Sequence, residues 1–185
     1  MKAKSGGEIE ALFVQRATSF VRSLGLAADV DLASALPNLC QSDIERRMLV
    51  ELSYSPPWHD MKRMGEVVIH DHTMGGMPDR QVVMAPQYPV GRYRVDIGII
   101  VNGYDGDRLL IAIECDGHDF HEKTKEQASR DKRRDRAFQK IGWMVFRFTG
   151  SDIFRKGEEC ADEVATFVAE WLDASLDAHL KRLGV

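Results

Sequence analysis

Three acidic residues stand where a folding chain would not ordinarily put them. Asp96 lies in the stretch 93–101, whose other parity carries the β-branched Val95, Ile97, Ile99 and Val101, and Glu114 and Asp116 end the run LLIAIECD. Burying an unpaired carboxylate is expensive, so each of these needs a partner or a cation. Glu114 and Asp116 share one strand face, and if the two strands pair as a hairpin, Asp96 comes beside them. Three converging carboxylates repel one another until a hard divalent cation such as magnesium neutralises them. The alternative use of the same residues is pairing with nearby arginines, or capping of loops.

Periodicity predicts the elements that position them. Residues 8–24 carry Leu12, Phe13, Ala17, Phe20, Val21 and Leu24 at helical spacing, and a short second helix follows Asp31 before Pro37. At Ser42-Asp43-Ile44-Glu45 the serine can accept the third backbone N–H while the glutamate reaches back. A helix therefore starts there and runs to about Tyr54, where Ser55-Pro56-Pro57 stops it. The β-prone runs 67–70 and 81–85, separated by Gly75-Gly76-Met77-Pro78, predict a hairpin with a long loop. Asn102-Gly103-Tyr104-Asp105-Gly106 supplies the turn into 109–116, a run apolar on both faces and thus a central strand. A helix over 123–141 and a strand over 143–148 follow. A closing amphipathic helix over 158–183 has Val164, Phe167, Val168, Trp171, Leu172 and Leu176 on its inner side. With no internal repeat or linker, the chain reads as one α/β domain over 1–185. Its core spans about 42–150, with a helical extension over 1–40 and the C-terminal helix outside it.

Taken together, Glu45, Gln87, Tyr93-Arg94-Val95-Asp96, Ile113-Glu114-Cys115-Asp116-Gly117-His118, Phe120-His121, Asp131, Arg134-Asp135, Gly142-Trp143 and Val145-Phe146-Arg147-Phe148 follow a recognisable order. This order resembles the PD-(D/E)XK nuclease superfamily, and within it the very-short-patch-repair endonucleases and their relatives. The resemblance covers a little over half the chain. It implies an α/β restriction-endonuclease-like core of a helix, a mixed central sheet and a crossover helix, with the metal site at the sheet. By position, Asp96 is similar to the superfamily's metal-binding aspartate, Glu114 to the acidic residue of its (D/E)XK element, and Glu45 to the glutamate of its first helix. One departure stands out. The superfamily's lysine position is Asp116 here, and an aspartate can bind metal or accept protons but cannot supply positive charge.

The mechanism implied is hydrolysis of DNA with magnesium or manganese held by Asp96, Glu114 and the Cys115 backbone carbonyl. Asp116 and Glu45 would complete the first set of ligands or hold a second metal, and His118 or His121 would take or deliver a proton. Residues 122–136 carry seven basic and four acidic side chains, so the segment is +3 and the remainder −7. Such a face can neutralise phosphates, although solvated charge runs are common on helices. Arg134 falls at helical spacing from Ala128, Asp131 and Phe138 and points inward. Lys123, Lys125 and Arg130 are candidates for DNA backbone contacts. A catalytically weak nucleic-acid-binding module, and a protein-interaction domain or homodimer built on the terminal helices, are the competing readings.

Other signals carry less. His70-Asp71-His72 and His59-Asp60 have no partner motif for a zinc site, and Met61, Met64, Met74, Met77 and Met84 are expected to pack under the 56–86 insertion. Cys115, between two carboxylates, reads as a core residue rather than a nucleophile. Trp58 is the aromatic placed to stack on bases. The net charge of −4, from 25 basic and 29 acidic residues, excludes indiscriminate coating of DNA. Three scattered cysteines, no export signal and no apolar span point to a reducing cytoplasm.

Overall fold

The computed structural model describes residues 39–58, 61, 66–117 and 125–185, without the side chains of 74 and 125–128. The helices expected over 8–24 and after Asp31 lie outside this set, as do His59, Asp60, Met64, His118, His121, Lys123 and the side chain of Lys125. The elements run α1 (Asp43–Ser53), β1 (Val67–Ile69), β2 (Val82–Val90), β3 (Tyr93–Asn102), β4 (Arg108–Asp116), α2 (Lys125–Lys140), β5 (Trp143–Thr149) and α3 (Gly150–Leu183).

The five strands form one sheet in the order β1-β2-β3-β4-β5. β2, β3 and β4 are antiparallel neighbours, while β5 returns parallel to β4 after the α2 crossover. The runs at 67–70 and 81–85 do not form the expected hairpin: β1 pairs parallel with β2, Val67 opposite Val82 and Ile69 opposite Met84. A tight turn would have reversed the chain. Instead a 3-10 turn at His72–Met74, capped by Asp71, and the left-handed Gly75 and Gly76 carry it back to the start of β1.

One face of the sheet packs on α1 and α3. Met48, Leu49 and Leu52 of α1 and Val164, Val168 and Leu172 of α3 join Ile97, Ile99, Val101, Ile111 and Ile113 in a single apolar cluster. α3 begins eight residues earlier than its apolar spacing indicates, because the Thr149 hydroxyl caps it by accepting from the Asp152 N–H at 3.1 Å. The backbone departs from helical geometry at Lys156. Next to that break, a Cβ on Gly157 would come within 3.0 Å of Arg47 Nε, so the glycine lets α3 approach the Arg47–Glu51 ion pair of α1. No described helix is long and apolar enough to cross a membrane.

The second face packs on α2 through Phe138, with Val95, Ala112 and Trp143. Val95 therefore does not share the side of Ile97, Ile99 and Val101. The alternation slips at Asp96, between the Tyr88–Val95 and Pro86–Ile97 pairs, where Gln87 adopts φ 53. Trp58 is also placed differently from expectation. It is fully buried, and its Nε1 donates to the Leu52 carbonyl at 2.6 Å, so it anchors the end of α1 and is closed to bases. Met61 and Met84, expected to pack under the 56–86 insertion, join the main core, whereas Met77 is exposed.

Candidate active site

The slip at Asp96 opens the sheet beside the candidate site residues. The β3–β4 pairing ends at Ile97–Ile113, and beyond it the Asp96 Oδ2 accepts from the Cys115 N–H at 2.7 Å. A side-chain carboxylate thus takes the place of a backbone acceptor. In an extended strand a residue's N–H and C=O point to the same side, so the Cys115 carbonyl is directed toward β3 as well. The Cys115 side chain packs against the apolar cluster beneath α1 and α3, and burial pushes its thiol well above the ordinary range, as suits a core residue.

Glu114 projects to the α2 side. It is only 3 % exposed, and its Oε2 accepts from Arg134 Nη2 at 2.6 Å, so Arg134 points inward as its spacing on α2 predicts. The other oxygen, Oε1, is buried without a hydrogen-bond partner, and so is Arg134 Nε. Burial raises the Glu114 carboxyl to about 7; Arg134 opposes the shift and the charge of Asp96 adds to it. Burial likewise raises Asp96 to about 6, against the pull of the Cys115 N–H and with the charge of Glu45 adding to it.

Glu45 is brought to the same place by the α1 cap. The Ser42 hydroxyl accepts from the Glu45 N–H at 3.2 Å and donates to Glu45 Oε1 at 2.9 Å. Glu45 Oε2 accepts from the Gln41 N–H at 2.9 Å, one residue before the cap, and from Gln87 Nε2 at 2.7 Å. Both oxygens are held by protein donors. Glu45 is therefore a fixed negative charge beside Asp96 and the anchor of the left-handed Gln87.

The charge of Asp116 still acts on Asp96 and Glu114, but Asp116 comes with a cation of its own. Arg147 Nη1 reaches its two oxygens at 3.1 and 3.3 Å, and Arg147 Nη2 donates to Asp135 Oδ1 at 2.8 Å. A guanidinium beside Asp116 relieves the repulsion that would otherwise call for metal there. Among the described residues, no group of three histidines, cysteines or acids stands ready to hold a metal ion. His72 instead meets the Pro86 carbonyl at 3.2 Å and the edge of Tyr88. What remains is a pair, Asp96 and Glu114, with hard oxygen donors and one buried oxygen left over. That set fits magnesium, which binds through one or two carboxylates and completes its shell with water and substrate phosphate.

Sequence reasoning quoted Arg147 within the run 145–148 but gave it no role. The signal for Arg147 was present: it is a charged residue inside a strand of apolar residues, as Asp96 is in its own. No curated protein and no solved structure matched the chain. Residues 72–168, just over half of its length, match the REase_MTES_1575 family model. That span holds Asp96, Glu114, Arg134 and Arg147 on the sheet and crossover helix described above, and the chain belongs to this restriction-endonuclease-like family.

Proposed function

We propose that the protein is a metal-dependent endonuclease that hydrolyses phosphodiester bonds in DNA, in repair or in restriction and defence. The observation that carries this reading is the pair of half-buried Asp96 and buried Glu114, whose carboxyls are raised to about 6 and about 7 and whose Glu114 Oε1 has no hydrogen-bond partner. Asp96, Glu114 and the Cys115 carbonyl would hold magnesium or manganese. The cation would polarise the scissile phosphate and lower the pKa of an attacking water.

The chain's own residues do the rest. Arg134 orients Glu114 and stands ready to meet a phosphate oxygen once a cation neutralises that carboxylate. Arg147, held on Asp116 and Asp135, supplies positive charge beside the position where the superfamily carries lysine. Glu45 fixes Gln87 at the mouth of the strand slip. His118 and His121, in the segment that leaves β4, would take or deliver the proton, and Lys123, Lys125 and Arg130 would contact the DNA backbone.

The pairing of Asp116 with Arg147 supports a second reading, a nucleic-acid-binding module with little catalysis. One assay separates the two. Purified protein is incubated with supercoiled and linear DNA in magnesium, in EDTA, and as Asp96→Asn. The nuclease reading expects nicking or cutting in magnesium only, lost in the variant. Cleavage that survives both EDTA and the substitution overturns the metal mechanism, and binding without cleavage in magnesium establishes the second reading.

A further inference from the structure

We propose that the cleft between the β2–β3 turn and α2 is a clamp for the phosphodiester backbone of DNA, and that it feeds the strand into the carboxylate pair. The cleft, ≈ 420 Å³, is lined by Arg92, Tyr93, Arg130, Asp131, Arg133 and Arg134. Four guanidiniums against one carboxylate make it an anion site in a chain whose net charge is −4. Two separate elements build it, so it is not the charged stripe of a single solvated helix.

The clamp is organised before any ligand arrives. Arg92 Nη2 donates to the Tyr93 hydroxyl at 2.8 Å with its guanidinium 5.0 Å from the ring centre, and Tyr93 is itself set edge-on against the buried Phe138 at 5.6 Å. Among the described residues, neither Arg92, Arg130 nor Arg133 has a carboxylate partner, so their charge is available to a polyanion. Arg134 belongs to both places. It lines the cleft and donates to Glu114, which makes the clamp continuous with the candidate active site. Arg130 and Arg133 lie about one turn apart on α2 and Arg92 stands on the β2–β3 turn, a spread that suits successive phosphates better than one small anion.

This inference rests on the nuclease reading for its substrate, and it is tested without catalysis. Binding of a labelled DNA duplex is followed by fluorescence anisotropy in EDTA across a range of salt. Arg92→Gln/Arg133→Gln is expected to weaken binding about tenfold or more at 0.1 M salt. It should also flatten the slope of log affinity against log salt by about 1.8, the loss of two phosphate contacts. Arg92→Lys/Arg133→Lys should regain most of the slope. Lys181→Ala/Arg182→Ala, which removes the same charge at the far end of α3, should match wild type. The clamp is overturned if the glutamine pair binds like wild type, if the α3 pair loses as much, or if wild type does not bind DNA. Thermal melts show that each variant is folded. An intact salt slope with no cleavage in magnesium sinks the nuclease reading and leaves the clamp, whereas cleavage with an unchanged slope in the glutamine pair sinks the clamp alone.

Discussion

Beneath α1 and α3 the central strands offer Ile97, Ile99, Val101, Ile111 and Ile113, all fully buried in one apolar cluster. Beneath α2 the same strands offer Glu114 and Asp116, and the apolar packing breaks into smaller groups around Phe138 and Trp143 and around Val83 and Ile100. The first face removes apolar area from water at roughly 25 cal/mol per Å² and has no chemistry to perform. The second gives up part of that gain to keep carboxylates and guanidiniums dry. Glu51 shows that a buried acid can be purely structural: it sits on α1 in an ion pair with Arg47, under Gly157 of α3. At Glu114 the pairing with Arg134 does not overcome the cost of burial, and the charge of Asp96 adds to that cost.

If the open end of β3 and β4 is the working one, Asp96 and Glu114 act as a unit. Asp96→Asn and Glu114→Gln should each lower the cleavage rate about 10³-fold or more, and the double variant should lose little beyond either single one, as expected of residues serving one ion. Additive losses would separate their roles. On the face beneath α1 and α3, Ile111→Ala should cost about 3 kcal/mol in chemical denaturation, the ordinary cost of a core cavity, while the folded fraction cleaves at the wild-type rate. A rate falling as steeply as for the acid variants would erase the distinction between the faces.

The third expectation concerns pH. Asp96 at about 6 and Glu114 at about 7 bind protons more tightly than they do in the unfolded chain, so the folded state carries more protons between about pH 4 and 7. The associated stability is present in acid and lost as pH rises through those values. Metal-free protein should therefore be about 4 kcal/mol more stable at pH 5 than at pH 8 from these groups, and magnesium should remove most of the difference. Urea melts in EDTA and in magnesium measure it directly. The smallest effect is Ser42→Ala. It should cost about 1 kcal/mol as a lost cap, and by releasing Glu45 it should slow cleavage more than its effect on stability explains.

Much of this contrast is legible in the sequence. The Ser42–Glu45 cap, the isolated Asp96, the two-sided apolar run before Glu114 and the inward spacing of Arg134 each follow from period and cost of burial. The parallel β1 was not legible, because two short apolar runs around a glycine-rich turn look the same whether the chain reverses or crosses back. Nor was the face of Val95, since a left-handed glutamine between Pro86 and Tyr88 leaves no mark in residue type. The early start of α3 was available in Thr149-Gly150-Ser151-Asp152, a capping pattern that the glycine obscured. The Asp116–Arg147 pair needed the register that puts Glu114 opposite Arg147 and Asp116 opposite Thr149, which only the folded sheet supplies.

The most direct test of the account measures stability and activity of Glu114→Gln in one preparation at pH 8. Neutralising a buried carboxylate that resists ionisation should raise the melting temperature in EDTA above wild type and abolish cleavage in magnesium. A variant that melts lower, as for any broken buried ion pair, and still cleaves DNA would contradict it.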